Sequence, residues 1–321
     1  MRLFKDAKYR FIEARKKAYV LSAVVLLVGV GAMVINFAAI GSWQVYGVDF
    51  TGGSLIQVRF DAPMDVGVLR AALGGAQAPP ITEFGEDNEF VIRAPIAEDR
   101  SITEVADEIE SELAAALGAE AFDVVRTEAV GAKVGEELQL QALYAVLFSF
   151  VLTLMYLAMR FELRFGLAAV IATLHDILIT LGFLAAFRVE IALPTVAAIL
   201  TILGYSLNDT IVVFDRIREN LHKKGARKRD QIELVNESIN ETLPRTILTS
   251  GTTLAVLMAL LILGGAVIRD FTVVLILGVI VGTYSSIFVA SPALIEIQKK
   301  WGLGKTGEKT GEKKKHQPAT V

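Results

Sequence analysis

The sequence predicts a polytopic α-helical membrane protein with six transmembrane helices and an extracytoplasmic α+β domain between helices 1 and 2. Three observations carry this. Of 321 residues, 53% are hydrophobic and only 21% charged, a balance that soluble domains rarely show. Six apolar stretches reach the roughly 20 residues that cross a bilayer as a helix. Lys and Arg gather on alternate connections, which defines one orientation. The chain has no cysteine, which excludes disulfides, thiolate metal sites and cysteine nucleophiles. Its three histidines, His175, His222 and His316, show no metal-binding spacing.

In chain order, residues 1–17 form a basic cytoplasmic arm with seven Lys or Arg against Asp6 and Glu13. The apolar run 18–40 exceeds the usual signal-peptide core, so it reads as an uncleaved first transmembrane helix. Residues 41–137 then turn acidic, with 19 acids against six bases (Arg59, Arg70, Arg93, Arg100, Arg126, Lys133). Here Ser54–Phe60 alternates as a strand, and Asp65–Leu73 has helical spacing with Asp65 as its cap. Pro80–Phe84 and Glu89–Arg93 read as strands joined by the turn Gly85-Glu86-Asp87-Asn88. Ser101 opens an amphipathic helix to Leu117, with Glu104 completing a capping box, and Ala121–Val130 is a last strand. The order βαββαβ predicts a small ferredoxin-like domain. Its acidity serves either as a solubilising surface or as a contact surface for polypeptide.

Five further spans follow at 138–159, 165–187, 191–214, 243–263 and 271–295. The charged loop 215–242 carries an amphipathic helix at Asp230–Leu243. The tail 296–321 repeats Lys-Thr-Gly-Glu at 305–308 and 309–312, is too poor in apolar residues to build a core, and is expected to be disordered. The arm has seven Lys or Arg, the 160–164 link two, the 216–242 loop seven and the chain from Lys299 seven more, against Arg188 and Arg269 on the opposite links. Both termini therefore belong in the cytoplasm and the 41–137 domain outside it.

The candidate site lies in Gly204-Tyr-Ser-Leu-Asn-Asp-Thr-Ile-Val-Val-Phe-Asp-Arg-Ile-Arg-Glu-Asn220. Asp209 falls inside an apolar span, where a carboxylate costs about 3 kcal/mol or more and ordinarily faces protein or a water-filled path. Asn208 is beside it, with Tyr205 and Ser206 one turn earlier; the alternative is a structural carboxylate paired across helices. Arg245, after Pro244, starts the next span on the same side at similar depth, with Thr249, Thr252 and Thr253 at helical spacing. A pair with Asp209 is allowed by this geometry, and so is an arginine snorkelling to headgroups. Asp176 follows His175 near the middle of its span and shares a face with Thr173 and Thr180, fitting a polar path or a helix-to-helix hydrogen bond. Gly278-Val-Ile-Val-Gly282 offers a small-residue packing face. No P-loop, nucleotide fold or nucleophile–base pair is visible, so a non-enzymatic machine driven by the membrane gradient is expected. One charge crossing 100 mV releases about 2.3 kcal/mol.

Several long segments resemble the SecD/SecF family of the RND superfamily. They are Gly47-Val-Asp-Phe-Thr-Gly-Gly-Ser54, Glu128-Ala-Val-Gly-Ala-Lys-Val-Gly-Glu-Glu-Leu138, the 204–220 stretch, Arg245-Thr-Ile-Leu-Thr-Ser-Gly-Thr-Thr253 and Gly282-Thr-Tyr-Ser-Ser286. With the six-span plan they cover nearly all of the chain between the arm and the tail. The resemblance implies that Asp209 and Arg245, with Asn208, Asp176 and Thr249, belong to an ion-conducting cluster. It also implies that proton or sodium flow drives polypeptide export across the bacterial cytoplasmic membrane. The implied partners are a pseudo-symmetric SecD subunit, the SecYEG channel, possible auxiliaries YajC and YidC, the translocating polypeptide and the bilayer, with no nucleic acid and no cofactor. Phe214 stands where a small polar residue such as serine is expected. The competing readings are an RND-type half-transporter for a lipid or small molecule and a passive scaffold of the secretion channel.

Overall fold

The computed structural model describes residues 8–75, 78–83, 88–94, 102–223, 229–265 and 268–301. The start of the arm, the Gly85–Asp87 part of the hairpin turn, Ser101 with its capping box, and the tail beyond Trp301 lie outside the described residues.

Helix α1 (Arg15–Ile40) follows a 3-10 turn at Ile12–Ala14 and ends on Gly41 in the left-handed region. A short turn, α2 (Val48–Thr51), leads into β1 (Gly53–Phe60), α3 (Val66–Ala72), β2 (Ile81–Glu83), β3 (Glu89–Ala94), α4 (Ile102–Leu117) and β4 (Phe122–Val130). These form one antiparallel sheet in the order β2-β3-β1-β4, the ferredoxin-like arrangement predicted from the sequence. Alternation decides its faces: Ile56 pairs with Ile92 and Val58 with Phe90. These side chains bury against Leu69 and Leu73 of α3 and Val105, Ile109 and Leu113 of α4. Asp65 caps α3 as expected, accepting from the Gly67 N–H at 2.7 Å.

The membrane-spanning part consists of α1, α5 (Ala132–Arg160), α6 (Leu163–Phe187), α7 (Leu193–His222), α8 (Gln231–Leu263) and a last segment from α9 (Arg269–Ser285) through a π turn (Ser286–Ala290) to α10 (Ser291–Trp301). Six helices are thus long and apolar enough to cross a membrane. The α6, α7 and α9 helices form the packed centre, while α1, α5 and α8 keep apolar faces such as Leu27, Phe148 and Val256 exposed. Helices α1 and α6 meet where Gly29 faces Gly182; a Cβ on either glycine would lie 2.7 Å from the other's Cα. The Gly278–Gly282 face packs as its small residues suggest, with Gly278 receiving Ile202 and Gly282 admitting Ser206 of α7.

Several boundaries differ from the sequence reading, and the last helix runs on to Trp301, so residues 296–301, expected to be disordered, are helical. The α7 helix continues past Phe214 to His222, because Ile217 and Asn220 still face the core. The loop helix and the fifth span are one continuous helix with Pro244 inside it; buried Leu234, Ile239, Leu243 and Thr246 hold both halves on one core, so the missing proline N–H does not end the helix. The described part of the N-terminal arm is docked on α8: Ile12 is fully buried and its N–H donates to Asn236 Oδ1 at 3.0 Å. Asn240 brackets Tyr9, accepting from its N–H at 3.0 Å and donating to its carbonyl at 2.8 Å.

The sheet domain is tied to the start of α7. The Gly47 N–H donates to Ile191 O at 2.9 Å, and the Ile191 N–H to Val45 O at 2.8 Å. Asp49 accepts from the free Leu193 N–H at 2.8 Å, supplying a bond that the first turn of a helix lacks. Arg93 of β3 pairs with Glu190 in the α6–α7 link. A Cβ on Gly47 would lie 2.6 Å from Glu190 Oε1 and displace that carboxylate, while Gly53 is required by its φ of 128°. The Gly47–Ser54 motif is thus the joint between α1, the sheet and the end of α7.

Candidate functional site

Asp209 sits near the middle of α7 and is 6% exposed. Thr246 Oγ1 of α8 donates to Oδ1 at 2.6 Å, and Ser286 Oγ, at the start of the π turn, donates to Oδ2 at 2.5 Å. Among the described residues no Lys, Arg or His forms an ion pair with it. A buried carboxylate held only by neutral hydroxyls carries a large desolvation cost. A proton, a metal cation or an approaching guanidinium would each relieve it.

The site is asymmetric along the membrane normal. Toward the sheet it continues as a polar column, with Tyr205 Oη donating to Ser250 Oγ at 3.3 Å and Ser250 Oγ lying 2.7 Å from Thr283 Oγ1. Toward the opposite end it is closed by Phe214, fully buried, with ring centroids 5.4 Å from Phe165 and 6.3 Å from Phe161. Residue 214 thus packs as an aromatic against Phe161 and Phe165, where a small polar side chain is expected.

The second carboxylate, Asp176 of α6, is 2% exposed. Its Oδ2 accepts from Ser206 Oγ of α7 at 2.5 Å and from Ser285 Oγ of α9 at 2.7 Å, and Oδ1 lies 2.8 Å from His175 Nδ1. The two acids are thus joined through consecutive serines, Ser285 on Asp176 and Ser286 on Asp209. From Ser286 onward the helix widens into its π turn, where the Ser286 carbonyl accepts from Ser291 Oγ at 2.8 Å. Such single π turns recur at functional sites.

The remaining sequence candidates take other places. Arg245 is exposed and, among the described residues, forms no ion pair with Asp209; its carbonyl accepts from Thr249 Oγ1 at 3.0 Å. Thr249 is itself exposed and spends its hydroxyl on its own helix. Asn208 points away from Asp209 into a groove of about 390 Å³ between α5 and α7, lined also by Ser149, Thr153 and Tyr156. The residues that do touch the acids, Thr246, Ser286, Ser206, Ser285 and His175, are not assigned as their ligands by the sequence. The usable signal for Thr246 was the i, i+4 series Thr242, Thr246, Ser250, all three buried. Among the described residues no group of three His, Asp or Glu is placed to hold a metal ion.

Residues 110–300 match the family described as Protein export membrane protein SecD/SecF, C-terminal, and residues 45–64 match the SecD/SecF GG Motif. The chain is 45% identical to the protein translocase subunit SecF of Gemmatimonas aurantiaca over 94% of its length and 90% of that protein's. It is 41% identical to SecF of Vibrio alginolyticus over 94% of both chains. Among solved structures it resembles SecDF of Thermus thermophilus, described as a translocon-associated membrane protein, with a TM-score of 0.79 and 39% identity. It covers 94% of itself there but only 40% of that longer chain. A family match over more than half of the chain, with relatives this similar over nearly all of it, leads to one conclusion: the chain belongs to the SecD/SecF family of protein export membrane proteins.

Proposed function

We propose that this chain is a SecF-type subunit of a protein-export complex, in which a cation taken up and released at Asp209 drives movement of the sheet domain. The observation that carries this reading is the buried carboxylate of α7, held by hydroxyls of α8 and α9 with no direct ion pair among the described residues. The opposite end of the same helix is bonded to the sheet domain through Asp49, Gly47 and Ile191. A change of charge at Asp209 would repack three helices, and α7 would carry the displacement to its clamped end. The driving ion is a proton, with sodium as the alternative carrier. Arg245 is the mobile charge that approaches or leaves Asp209, and Asp176 is the second acid of the path. Asn208 and Thr249, on exposed faces at membrane depth, complete the path where a second six-helix subunit of SecD type packs.

Both termini lie in the cytoplasm and the sheet domain outside it, in the inner membrane of a bacterium. This orientation is supported by the Lys and Arg asymmetry. The export channel is of SecYEG type, with YajC and YidC as auxiliaries, and the moved substrate is unfolded polypeptide. The test is precursor export into vesicles containing this chain and its SecD-type partner, at fixed ATP, with and without an uncoupler. Export stimulated by the gradient and abolished by the uncoupler supports the reading. Equal export under both conditions identifies a passive scaffold and overturns it.

A further inference from the structure

His175 is a buried titratable group that the Asp209 site does not use. It is 7% exposed and packed between α1, α6 and the end of α9. Its Nδ1 faces Asp176 Oδ1 at 2.8 Å and its Nε2 faces Ser22 Oγ of α1 at 3.0 Å. Ser22 Oγ lies 3.2 Å from Tyr284 Oη, and Tyr284 Oη lies 2.9 Å from the Ala18 carbonyl. The Tyr284 ring stacks on the imidazole with centroids 6.3 Å apart. The titratable groups facing His175 are thus Asp176 and Tyr284, and none of its contacts among the described residues is to Lys or Arg.

Counting hydrogens along this chain determines its direction. A carbonyl only accepts, so the single hydrogen of Tyr284 Oη goes to Ala18. The Ser22–Tyr284 contact then takes its hydrogen from Ser22. With that hydrogen used, Ser22 can only accept from the imidazole, so Nε2 carries a hydrogen. Nδ1 faces a carboxylate oxygen, which also accepts. The Nδ1–Oδ1 contact needs one hydrogen; placed on the imidazole, the more basic group in water, it leaves every contact satisfied with both ring nitrogens protonated and Asp176 ionised. If Nε2 loses its proton, Ser22 can rotate to donate to it, leaving only the Ser22–Tyr284 contact unmade. Releasing the proton leaves that contact unmade and also leaves Asp176 a buried carboxylate held by neutral donors alone, Ser206, Ser285 and the Nδ1–H, so the pair favours the protonated state.

We infer that His175 and Asp176 form a second proton site of the bundle, an imidazolium–carboxylate pair coupled to Asp209 through the adjacent serines 285 and 286. The proton is held on the imidazole, Asp176 is its counterion, and Ser22 ties the charge state to α1. Because Ser285 bonds Asp176 and Ser286 bonds Asp209, a rearrangement of either acid acts on the same π turn. This inference rests on the ion-driven reading for its purpose but is measured without export.

The experiment is ¹⁵N-histidine NMR of the full chain with its partner subunit in vesicles, titrated over pH, the His175 signal being the one that His175→Gln removes. The expected result is a His175 signal protonated on both nitrogens that titrates to a neutral tautomer. Asp176→Asn should move its midpoint by about one pH unit or more, as for loss of an adjacent opposite charge. Tyr284→Phe, which spares both members of the dyad, should also move the midpoint, and Asp209→Asn should do so through the shared π turn. If Asp176→Asn does not assemble, the Tyr284→Phe and Asp209→Asn shifts decide. A His175 signal that stays neutral at every pH overturns the inference, as does a midpoint indifferent to the variants that assemble. Loss of gradient-driven export with an intact His175 titration would count against the Asp209 reading instead.

Discussion

Replacing Asp209 by asparagine separates the structural role of this carboxylate from its charge. In the native site two hydroxyls donate to it, Thr246 at 2.6 Å and Ser286 at 2.5 Å. Asparagine keeps one acceptor oxygen and presents an NH₂ at the other position, so one hydroxyl rotates from donating to accepting. The loss is about one net hydrogen bond, on the order of 1 kcal/mol, against the roughly 5–15 kcal/mol that holds a domain together. The variant should therefore fold and assemble with its partner. Its coupling should fail completely, because an amide neither binds nor releases a proton. Each charge crossing 100 mV supplies about 2.3 kcal/mol, a bias of about fifty-fold per ion. The gradient-stimulated part of export should accordingly fall to background while the ATP-driven part persists. The assay is precursor protection in vesicles under an imposed pH difference or an imposed sodium gradient, with expression and partner binding measured in parallel. Asp209→Glu should keep part of the stimulation. An Asp209→Asn complex that assembles normally and responds fully to the gradient refutes the reasoning and moves the carrier to Asp176.

Three other expectations follow from particular positions. Arg245→Lys should assemble but lose most gradient stimulation, because lysine keeps the charge and loses the planar fork; undiminished stimulation would show that Arg245 only anchors to headgroups. Cysteines placed at the exposed positions Glu120 and Lys299 should react with an impermeant reagent from opposite faces of oriented vesicles, and labelling of both from one face would reverse or break the proposed topology. Gly182→Leu should block the α1–α6 contact, where even a Cβ would lie 2.7 Å from Gly29 Cα, whereas Gly31→Leu, with no atom within 4 Å of its Cβ position, should be tolerated; equal melting temperatures of the two complexes would refute that close approach.

Much of the architecture was legible because its signals are one-dimensional. Six apolar runs, the βαββαβ order and the Asp65 cap each depend on neighbours in sequence, and period-2 alternation in Ser54–Phe60 assigns the buried face of that strand. Element ends were less legible. The continuous α8 helix hides a proline that local rules read as a boundary, and the extension of α7 to His222 rests on contacts made by Ile217 and Asn220 with distant residues.

The sequence by itself determined that this is a six-span membrane protein, that Asp176 and Asp209 lie at membrane depth, and that the Gly47–Ser54 and 204–220 motifs resemble one family. These conclusions need only composition, spacing and the cost of a charge in hydrocarbon. Tertiary structure alone decided which hydroxyls meet the acids. A transmembrane helix is apolar nearly all round, so hydrophobic periodicity, which phases a soluble helix, says little about which face points inward. In α8 the same short stretch offers Thr246, Thr249, Thr252 and Thr253, and only packing against α7 and α9 turns Thr246 toward Asp209 while Thr249 and Arg245 face outward. The same holds for His175 and Ser22, 153 residues apart: neither position carries a local signal of the other, and their contact exists because α1 lies against α6 where two glycines let the backbones approach.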